Sequence, residues 1–377
     1  GACSFLNAQT IDYSNFTLSP AFNDKYLVAV DGSFNKATTG SNQTWNYGSV
    51  TYSSTDSIMY YDSSDSLTGY PDVYHHFYFE LLSPSGGSIN AYKFRNLNAS
   101  GFYNTAFYVE GYSESLSPLT GGANDVLDIP EQRITLPDSL YLLKFPVNNQ
   151  SSWTSSSTRR VDFNLSVAAF NLSQTPGYFQ DTEIETRTVI GDGSLVIPDE
   201  NGNPLPPVDV FMIEVVNTST DSVYLAGSPA PATLMSAFGL SQGSSSTDHF
   251  VLFYPTNGAG FPIAAYSLDA NDNPFFFTYR PQVARNALGI GINEVAKNKV
   301  QVYPNPLRAE ESLNIQTSAE AAYLSLYNLS GQSVLEIDLN ESPQSLSLRP
   351  QLKAGLYLLH LKNADSDLIS SHKIQIK

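Results

Sequence analysis

The sequence predicts an all-β protein built from sandwich-like or jelly-roll-like domains, and three observations support this prediction. The 377 residues include 23 tyrosines and 21 phenylalanines, and aromatic residues are enriched in strands. Short runs of alternating or wholly apolar β-forming residues recur along the chain, separated by clusters of glycine, proline, asparagine and aspartate. No long amphipathic helical pattern interrupts them. Short strands joined by such turns are typical of sandwiches and jelly rolls.

The predicted elements follow these runs along the chain. Strands are predicted at residues 26–30, 74–82, 106–110, 161–170, 182–190, 210–216, 250–254 and 274–279. Turns are predicted at residues 83–87, 191–193 and 201–204. One short helix is predicted at residues 231–240, because a proline opens a segment whose apolar residues have helical spacing.

Composition and charge exclude several classes of protein. The net charge of −17 repels phosphate backbones, so we expect no nucleic-acid partner. The one cysteine, Cys3, permits neither a disulfide within the chain nor a cysteine-based zinc site. No apolar run reaches the ~18 residues that a transmembrane helix needs. The length is sufficient for two or three domains of roughly 100–200 residues.

His75 and His76 are the only adjacent histidines. Neighbouring residues of a strand point to opposite faces, so these two rings are poorly placed to bind one metal ion. Glu80 or the distant His249 could join one of them. We favour a structural interpretation, with one histidine buried and the other exposed.

Three glutamates are candidates for acid–base chemistry. Glu80 and Glu110 end aromatic runs, and Glu214 follows an apolar one. A glycosidase needs two carboxyl groups ~5–10 Å apart. A single glutamate at the end of a strand is usually exposed, so a hydrolase acting on polysaccharide is the second hypothesis. The sequence contains no Gly-x-Ser-x-Gly, His-Glu-x-x-His or P-loop motif.

Two acidic, asparagine-rich segments at residues 199–203 and 269–273 are candidate calcium loops. Oxygen ligands at alternate positions suit calcium, although neither segment is a complete EF-hand loop. Turns rich in Asp and Asn are also common at hairpin tips. We therefore predict no cofactor, with calcium bound by Asp269, Asn271 and Asp272 as the alternative.

Aromatic residues crowd the first third of the chain. They are Trp45, Tyr47, Tyr52, Tyr60, Tyr61, Tyr70, Tyr74, Tyr78 and Tyr103. We expect most of them to lie in the core, but any that form an exposed row on a sheet face would suit sugar stacking, with Asn and Asp side chains binding the hydroxyls.

The C-terminal residues carry three motifs in a fixed order. Tyr-Pro-Asn-Pro stands at residues 303–306, Leu-Tyr-Asn-Leu-Ser-Gly at 326–331, and Leu-Lys-Ala-Gly-Leu-Tyr at 352–357. This order resembles the type A C-terminal sorting domain of the Bacteroidetes type IX (Por) secretion system. The resemblance implies a small immunoglobulin-like β-sandwich over residues 299–377.

The resemblance also implies an export route and a set of signal residues. A signal peptide would direct the chain to the periplasm, where the type IX machinery would carry it across the outer membrane for release or attachment to the cell surface. The residues carried over as the sorting signal are Pro304, Asn305, Pro306, Gly331, Gly355, Tyr357 and Lys373.

The remaining chain divides into a leader, a passenger and a linker. Residues 1–8 read as the end of a signal peptide cleaved after Ala8. Acylation of Cys3 is the alternative, although a lipid anchor would be redundant beside a sorting domain. The passenger spans residues 9–285, as one domain or as two sandwiches that divide near residues 146–160. Residues 286–298 are the predicted linker.

The passenger weakly resembles secreted Bacteroidetes proteins of unassigned activity, for example in residues 142–146 and 191–198. Its aromatic and asparagine content, together with the predicted destination, favours a binding, adhesion or structural module over an enzyme. Carbohydrate or another polymer of the cell surface is the expected ligand class.

Overall fold

The computed structural model confirms the all-β prediction. It describes residues 9–62, 73–83, 86–289, 301–303, 307, 312–316, 323–328, 332–339, 344–346, 352, 355–362 and 368–376. The chain divides into two compact units, residues 1–291 and 292–377.

The first unit contains sixteen strands and three short helices among its described residues. The strands of its first half are β1 (Phe22–Ala29), β2 (Gly40–Asn46), β3 (Tyr52–Asp62), β4 (His75–Leu82), β5 (Ser88–Asn98), β6 (Gly101–Val109), β7 (Tyr112–Ser115), β8 (Val126–Ile129) and β9 (Gln132–Lys144). Those of its second half are β10 (Ser152–Val167), β11 (Leu172–Val196), β12 (Val208–Leu225), β13 (Ser228–Pro229), β14 (Ser244–Pro255), β15 (Ala264–Leu268) and β16 (Pro274–Tyr279). The helices are α1 (Ser117–Thr120), α2 (Ala232–Ala237) and α3 (Pro281–Ala287), with one 3-10 turn at Ala168–Phe170.

These strands form one sheet that folds back on itself. The order is β7-β8-β10-β11-β12-β14-β15-β16-β1-β3-β4-β5-β6-β9, with β13 beside β12 and β2 beside β11. Every described pairing in it is antiparallel except that of β2 with β11. The end strand β9 returns to β10, where the Trp153 indole N–H donates to the Tyr141 carbonyl at 2.9 Å. The two halves of the sheet therefore face each other.

Two predicted boundaries can be compared with these elements. The predicted division near residues 146–160 falls within the first compact unit, and the residues from Ser152 onward pair with β11. The predicted linker starts at residue 286, but α3 extends to Ala287, and Ala284 of this helix is buried in the core. Residues 1–8 and 290–298, which hold the predicted leader and most of the linker, lie outside the described residues.

Three large apolar clusters fill the first unit. One contains Trp45, Phe253 and Phe277 beneath β14–β16. The other two clusters join residues from the facing halves of the sheet. One contains Phe102 and Phe211, and the other contains Val109 and Phe163. Burial of so many apolar side chains supplies the main favourable term in folding.

The second unit is a small sandwich. Its first sheet has the order β17 (Gln301–Tyr303), β18 (Leu313–Gln316) and β21 (Gln344–Leu346). Its second sheet has the order β20 (Ser333–Asp338), β19 (Tyr323–Asn328), β22 (Gly355–Lys362) and β23 (Leu368–Ile376). Leu313 and Ile315 of the first sheet share a core with Leu326 and Leu359 of the second. The neighbouring strands β19 and β20 pair in antiparallel orientation.

Candidate functional site

The strands β4, β5 and β6 present different chemistry on their two faces. Side chains alternate along a strand, so Phe77 and Phe79 pack into the core while Tyr78 and Glu80 are exposed on the opposite side. We call the outward side the aromatic face, defined by Tyr61, His76, Tyr78, Tyr92 and Tyr108.

The rings of the aromatic face form a continuous series across four strands. The Tyr61 and His76 rings are stacked with centroids 5.3 Å apart, and the His76 and Tyr92 centroids are 6.1 Å apart. Tyr92 lies 5.8 Å from Tyr78 and 6.0 Å from Tyr108, again between centroids. Tyr61 and Tyr78 are 39% and 40% exposed. The series is therefore accessible at its edge and supported from within by half-buried rings.

Polar side chains lie between these rings. The Tyr78 hydroxyl is 2.8 Å from Glu80 Oε1 and 2.9 Å from Asn90 Oδ1. Asn90 donates through Nδ2 to Glu110 Oε2 at 2.9 Å, and the Tyr92 hydroxyl donates to Glu110 Oε1 at 3.3 Å. Glu80, Asn90 and Glu110 thus form one hydrogen-bonded row on β4, β5 and the end of β6.

These hydrogen bonds set the charge of the face. Those that Tyr78 and Ser88 donate hold the pKa of Glu80 below its usual value. The bond to Glu80 raises the pKa of Tyr78, and burial, followed by the charge of Glu110, raises that of Tyr92. At neutral pH the phenols are therefore neutral, and Glu80 is an ionised hydrogen-bond acceptor.

The predicted histidine arrangement is only partly correct. His75 and His76 point to opposite sides of β4, as expected, but both are fully buried rather than one exposed. His75 packs among Tyr60, Phe102 and Phe261. Burial, and then the charge of Arg95, lowers the pKa of His75 to about 2, so this ring is neutral. The correction has a simple cause, since the aromatic face covers the outward-pointing ring.

The inward side of the same region holds charged residues between the facing halves of the sheet. We call this set the charged layer, and its members are Lys93, Arg95, Arg159, Asp181, Glu183, Glu185, Arg187 and Asp221. Lys93 Nζ of β5 and the Arg159 guanidinium of β10 lie 5.3 Å and 5.0 Å from the same Phe107 ring. Charges from both halves of the sheet therefore meet at one aromatic side chain.

The closed end of the charged layer contains a buried ion pair. Arg187 donates through Nε to Glu185 Oε1 at 2.7 Å and through Nη2 to Glu185 Oε2 at 3.2 Å. A third bond runs from Arg187 Nη1 to the Leu142 carbonyl at 3.1 Å. The two residues are only 4% and 9% exposed. This two-point geometry is the one in which a buried ion pair offsets its desolvation best.

The other end of the charged layer opens into a cavity of about 460 Å³. Arg159, Asp181 and Asp221 lie on its polar wall, and Val161 and Phe179 are among its apolar residues. Arg159 Nη2 is 3.0 Å from Asp181 Oδ2. This volume is in the range of small-ligand sites.

The structure brings two of the three predicted glutamates together. Glu80 and Glu110 share Asn90, whereas Glu214 lies elsewhere, 2.8 Å from His249 Nε2. Glu80 pairs with Asn90 across β4 and β5, and the Tyr78 hydroxyl lies within hydrogen-bond distance of both side chains. Sequence reasoning missed the charged layer, although the Asp-x-Glu-x-Glu-x-Arg alternation at residues 181–187 was a visible signal for charges on one strand face.

The two candidate calcium loops have the same internal hydrogen bonding. Asp269 Oδ1 accepts the backbone N–H groups of Asn271 and Asn273 at 2.9 Å and 2.8 Å, and Asp199 does the same for its own loop. Asp272 forms an ion pair with Lys36. Within the described residues no group of three or more His, Cys, Asp or Glu side chains is arranged to hold a metal ion. Calcium at Asp269, Asn271 and Asp272 stays a prediction.

The predicted sorting residues fall into two groups. Gly355 is the first residue of β22 and pairs with Ile376 of β23. Tyr357 of β22 is half-buried against the core of the second unit. Lys373 of β23 pairs with Leu358 of β22. Pro304, Asn305, Pro306 and Gly331 lie outside the described residues. The assignment of these residues as a signal stays a prediction.

Comparison with known proteins identifies the second unit. Residues 301–377 match the family model of the secretion system C-terminal sorting domain, which belongs to type IX secretion. The chain thus carries a type IX sorting tail, which marks it as secreted or attached to the cell surface. No helix among the described residues is long and apolar enough to cross a membrane.

Comparison does not assign the first unit. No curated protein matches the chain. One similar solved structure is PorZ, an essential bacterial surface component of the type IX secretion system of human oral-microbiomic Porphyromonas gingivalis. It is 7% identical with a TM-score of 0.20, over 80% of this chain and 58% of the PorZ chain. This chain therefore spans less than two thirds of that protein, and a likeness at this level carries no argument.

Proposed function

We propose that this protein, exported by type IX secretion, binds a neutral glycan outside the cell through its aromatic face. The observation that carries the proposal is the continuous series of five rings with three hydrogen-bonding side chains beside it. Tyrosine offers an apolar ring together with a polar hydroxyl, and an exposed group of such rings is typical of a binding surface.

The chemistry of the face suits a sugar. The C–H faces of a pyranose pack on the exposed rings of Tyr61 and Tyr78, while its hydroxyls donate to carboxylate and amide oxygens. Glu80, Asn90 and Glu110 supply those oxygens within reach of the rings. Two carboxylates beside the rings would repel uronic acids and sulfated sugars, as would the net charge of −17. A neutral polysaccharide is therefore the favoured ligand.

The alternative function is hydrolysis of the same polysaccharide. Glu80 and Glu110 both accept hydrogen bonds from tyrosines of the aromatic face, and a glycosidase would use one of the two as a protonated acid. Hydrogen bonds lower the pKa of Glu80, which works against that role. These observations favour binding without turnover.

The test is a glycan array probed with the full chain, followed by calorimetry on the best neutral glycan. Replacing Tyr78 or Tyr92 by alanine should weaken binding at least about tenfold, which corresponds to ~1.4 kcal/mol. Tyr13→Ala is the matched control, because Tyr13 is 53% exposed and is not part of the aromatic face. Equal losses in all three variants, or no binding of any glycan, would contradict the proposal. Release of new reducing ends that Glu80→Gln abolishes would favour the hydrolase.

A further inference from the structure

A cavity lies on the inward side of the fold, separate from the aromatic face. It is the 460 Å³ cavity at the open end of the charged layer. Leu81 and Ile89 come from β4 and β5, Val161 and Phe179 from β10 and β11, and Leu240 from the segment after α2. Asp221 and Ser244 at its rim are exposed, so the cavity is accessible from solvent at this side.

The charges of this cavity do not balance. Arg159 is the one cation among its lining residues, and it is already paired with Asp181. A second oxygen of Asp181 accepts the Ser219 hydroxyl. Asp221 stands directly opposite Asp181 in the β11–β12 register. No hydrogen bond or ion pair to the Asp221 carboxylate is present among the described residues.

Asp221 therefore presents an unpaired carboxylate beside a second carboxylate at the rim of the cavity. Partial burial, and then the neighbouring charge of Asp181, raises the pKa of Asp221, and the charge of Arg159 offsets only part of this effect. With one Arg and two Asp the lining carries a net charge of −1 when all three are ionised. An anionic ligand would be repelled, and a cation would restore neutrality.

The remaining walls define the rest of the ligand. Val161, Phe179 and Leu240 offer apolar surface within the same cavity as Asp221. A bare metal ion or a small hydrated cation would leave this surface exposed to water, at a cost that grows with the apolar area. A cation with an apolar stem would pair with the Asp221 carboxylate and cover the apolar wall as well.

We infer that this cavity binds a primary ammonium group carried on an apolar stem, with Asp221 as the ion-pairing residue and the apolar wall around the stem. Alkylamines and the side chain of a lysine belong to this chemical class. The inference is independent of the aromatic face, which lies on the other side of β4 and β5.

The probe is hexylammonium, titrated calorimetrically into the full chain near pH 8, with hexanol and hexanoate as neutral and anionic comparisons. We expect saturable binding of hexylammonium, and binding at least about tenfold weaker for the other two compounds. Because a chain of net charge −17 attracts any cation, charge variants are needed to identify the site.

Three variants separate the cavity from the general charge. Asp221→Asn should weaken hexylammonium binding at least about tenfold, and Asp221→Lys, which places a tethered ammonium beside Asp181, should abolish it. Asp138→Asn removes one exposed carboxylate of β9 outside the cavity and should leave binding unchanged. Circular dichroism confirms that each variant is folded.

Several outcomes would overturn the inference. They are equal binding of all three probes, no binding of hexylammonium, and the same affinity in both Asp221 variants as in the unaltered chain. Tyr78→Ala should leave hexylammonium binding intact, so failure of glycan binding and failure of this inference are distinguishable.

Discussion

The two faces of strand β5 place polar side chains in different environments. Asn90 and Tyr92 face outward, where neutral phenols and amides bond to carboxylates that remain close to water. Lys93 and Arg95 face inward, where the two cations lie against Phe79, Phe107 and Phe77. The outward groups are available to a ligand, whereas the inward cations pack against aromatic rings of the core.

This comparison indicates where stability and binding reside. Buried charges are costly unless they are paired, so loss of one partner inside the fold should be far more damaging than any change on the aromatic face. Exposed hydrogen bonds contribute little to folding because water replaces them. This division between stability inside and binding outside orders the expected effects of substitutions from the largest to the smallest.

The largest effect is expected for Arg187→Met. This change leaves the buried Glu185 carboxylate without its bidentate partner, and we expect a loss of ~3–5 kcal/mol in the free energy of unfolding. Urea denaturation of the full chain measures it. Arg160→Met is the matched control, because the Arg160–Asp162 pair is 57% and 54% exposed and such pairs contribute at most ~1 kcal/mol. A similar, small loss in both variants would refute the division.

An intermediate, pH-dependent effect is expected for Lys93. Burial lowers the pKa of this lysine to about 8 in the folded state, below the ordinary lysine value of 10.5. Between these values the unfolded chain binds more protons, so the contribution of Lys93 to stability rises as the pH rises. Lys93→Met should be more stable than the unaltered chain below pH 8, and its advantage should shrink toward pH 10. Chemical denaturation at several pH values gives this difference, and a constant difference would disprove the assignment.

The smallest effect on folding is expected for Tyr92→Phe on the aromatic face. This variant keeps the ring but loses the 3.3 Å bond to Glu110, which should cost no more than ~0.5–1.5 kcal/mol of stability. The ring remains available for stacking, so glycan affinity should fall less than in Tyr92→Ala. If the two variants lose the same affinity, the hydroxyl rather than the ring would be responsible for binding.

Much of the fold was visible in the sequence. The predicted strands at residues 26–30, 106–110 and 210–216 overlap β1, β6 and β12, and the predicted helix at 231–240 contains α2. The helix α3 was not predicted, because its seven residues are held by burial of Pro281 and Ala284 rather than by a long periodic pattern. Short helices of this kind depend on tertiary packing.

The candidate sites were less predictable than the fold. Tyr61 and Tyr78 were recognised as aromatic candidates, but Tyr92 and Tyr108 were not, since only the pairing of β4, β5 and β6 places their rings beside Tyr78. Asp181 and Asp221 are 40 residues apart (221 minus 181) and become opposite neighbours through the β11–β12 register. No local sequence motif indicates that these two carboxylates lie side by side.

By itself the sequence determined the export route, the all-β class and the alternation of side chains on each strand. These properties are local, because a sorting motif, a turn and a period of two are all encoded within a few residues. The tertiary structure alone decided which residues share a surface, that His75 and His76 are both buried, and that a cavity opens beside Asp221. Those outcomes depend on how distant strands pair and face one another, and this depends on the packing of the whole unit.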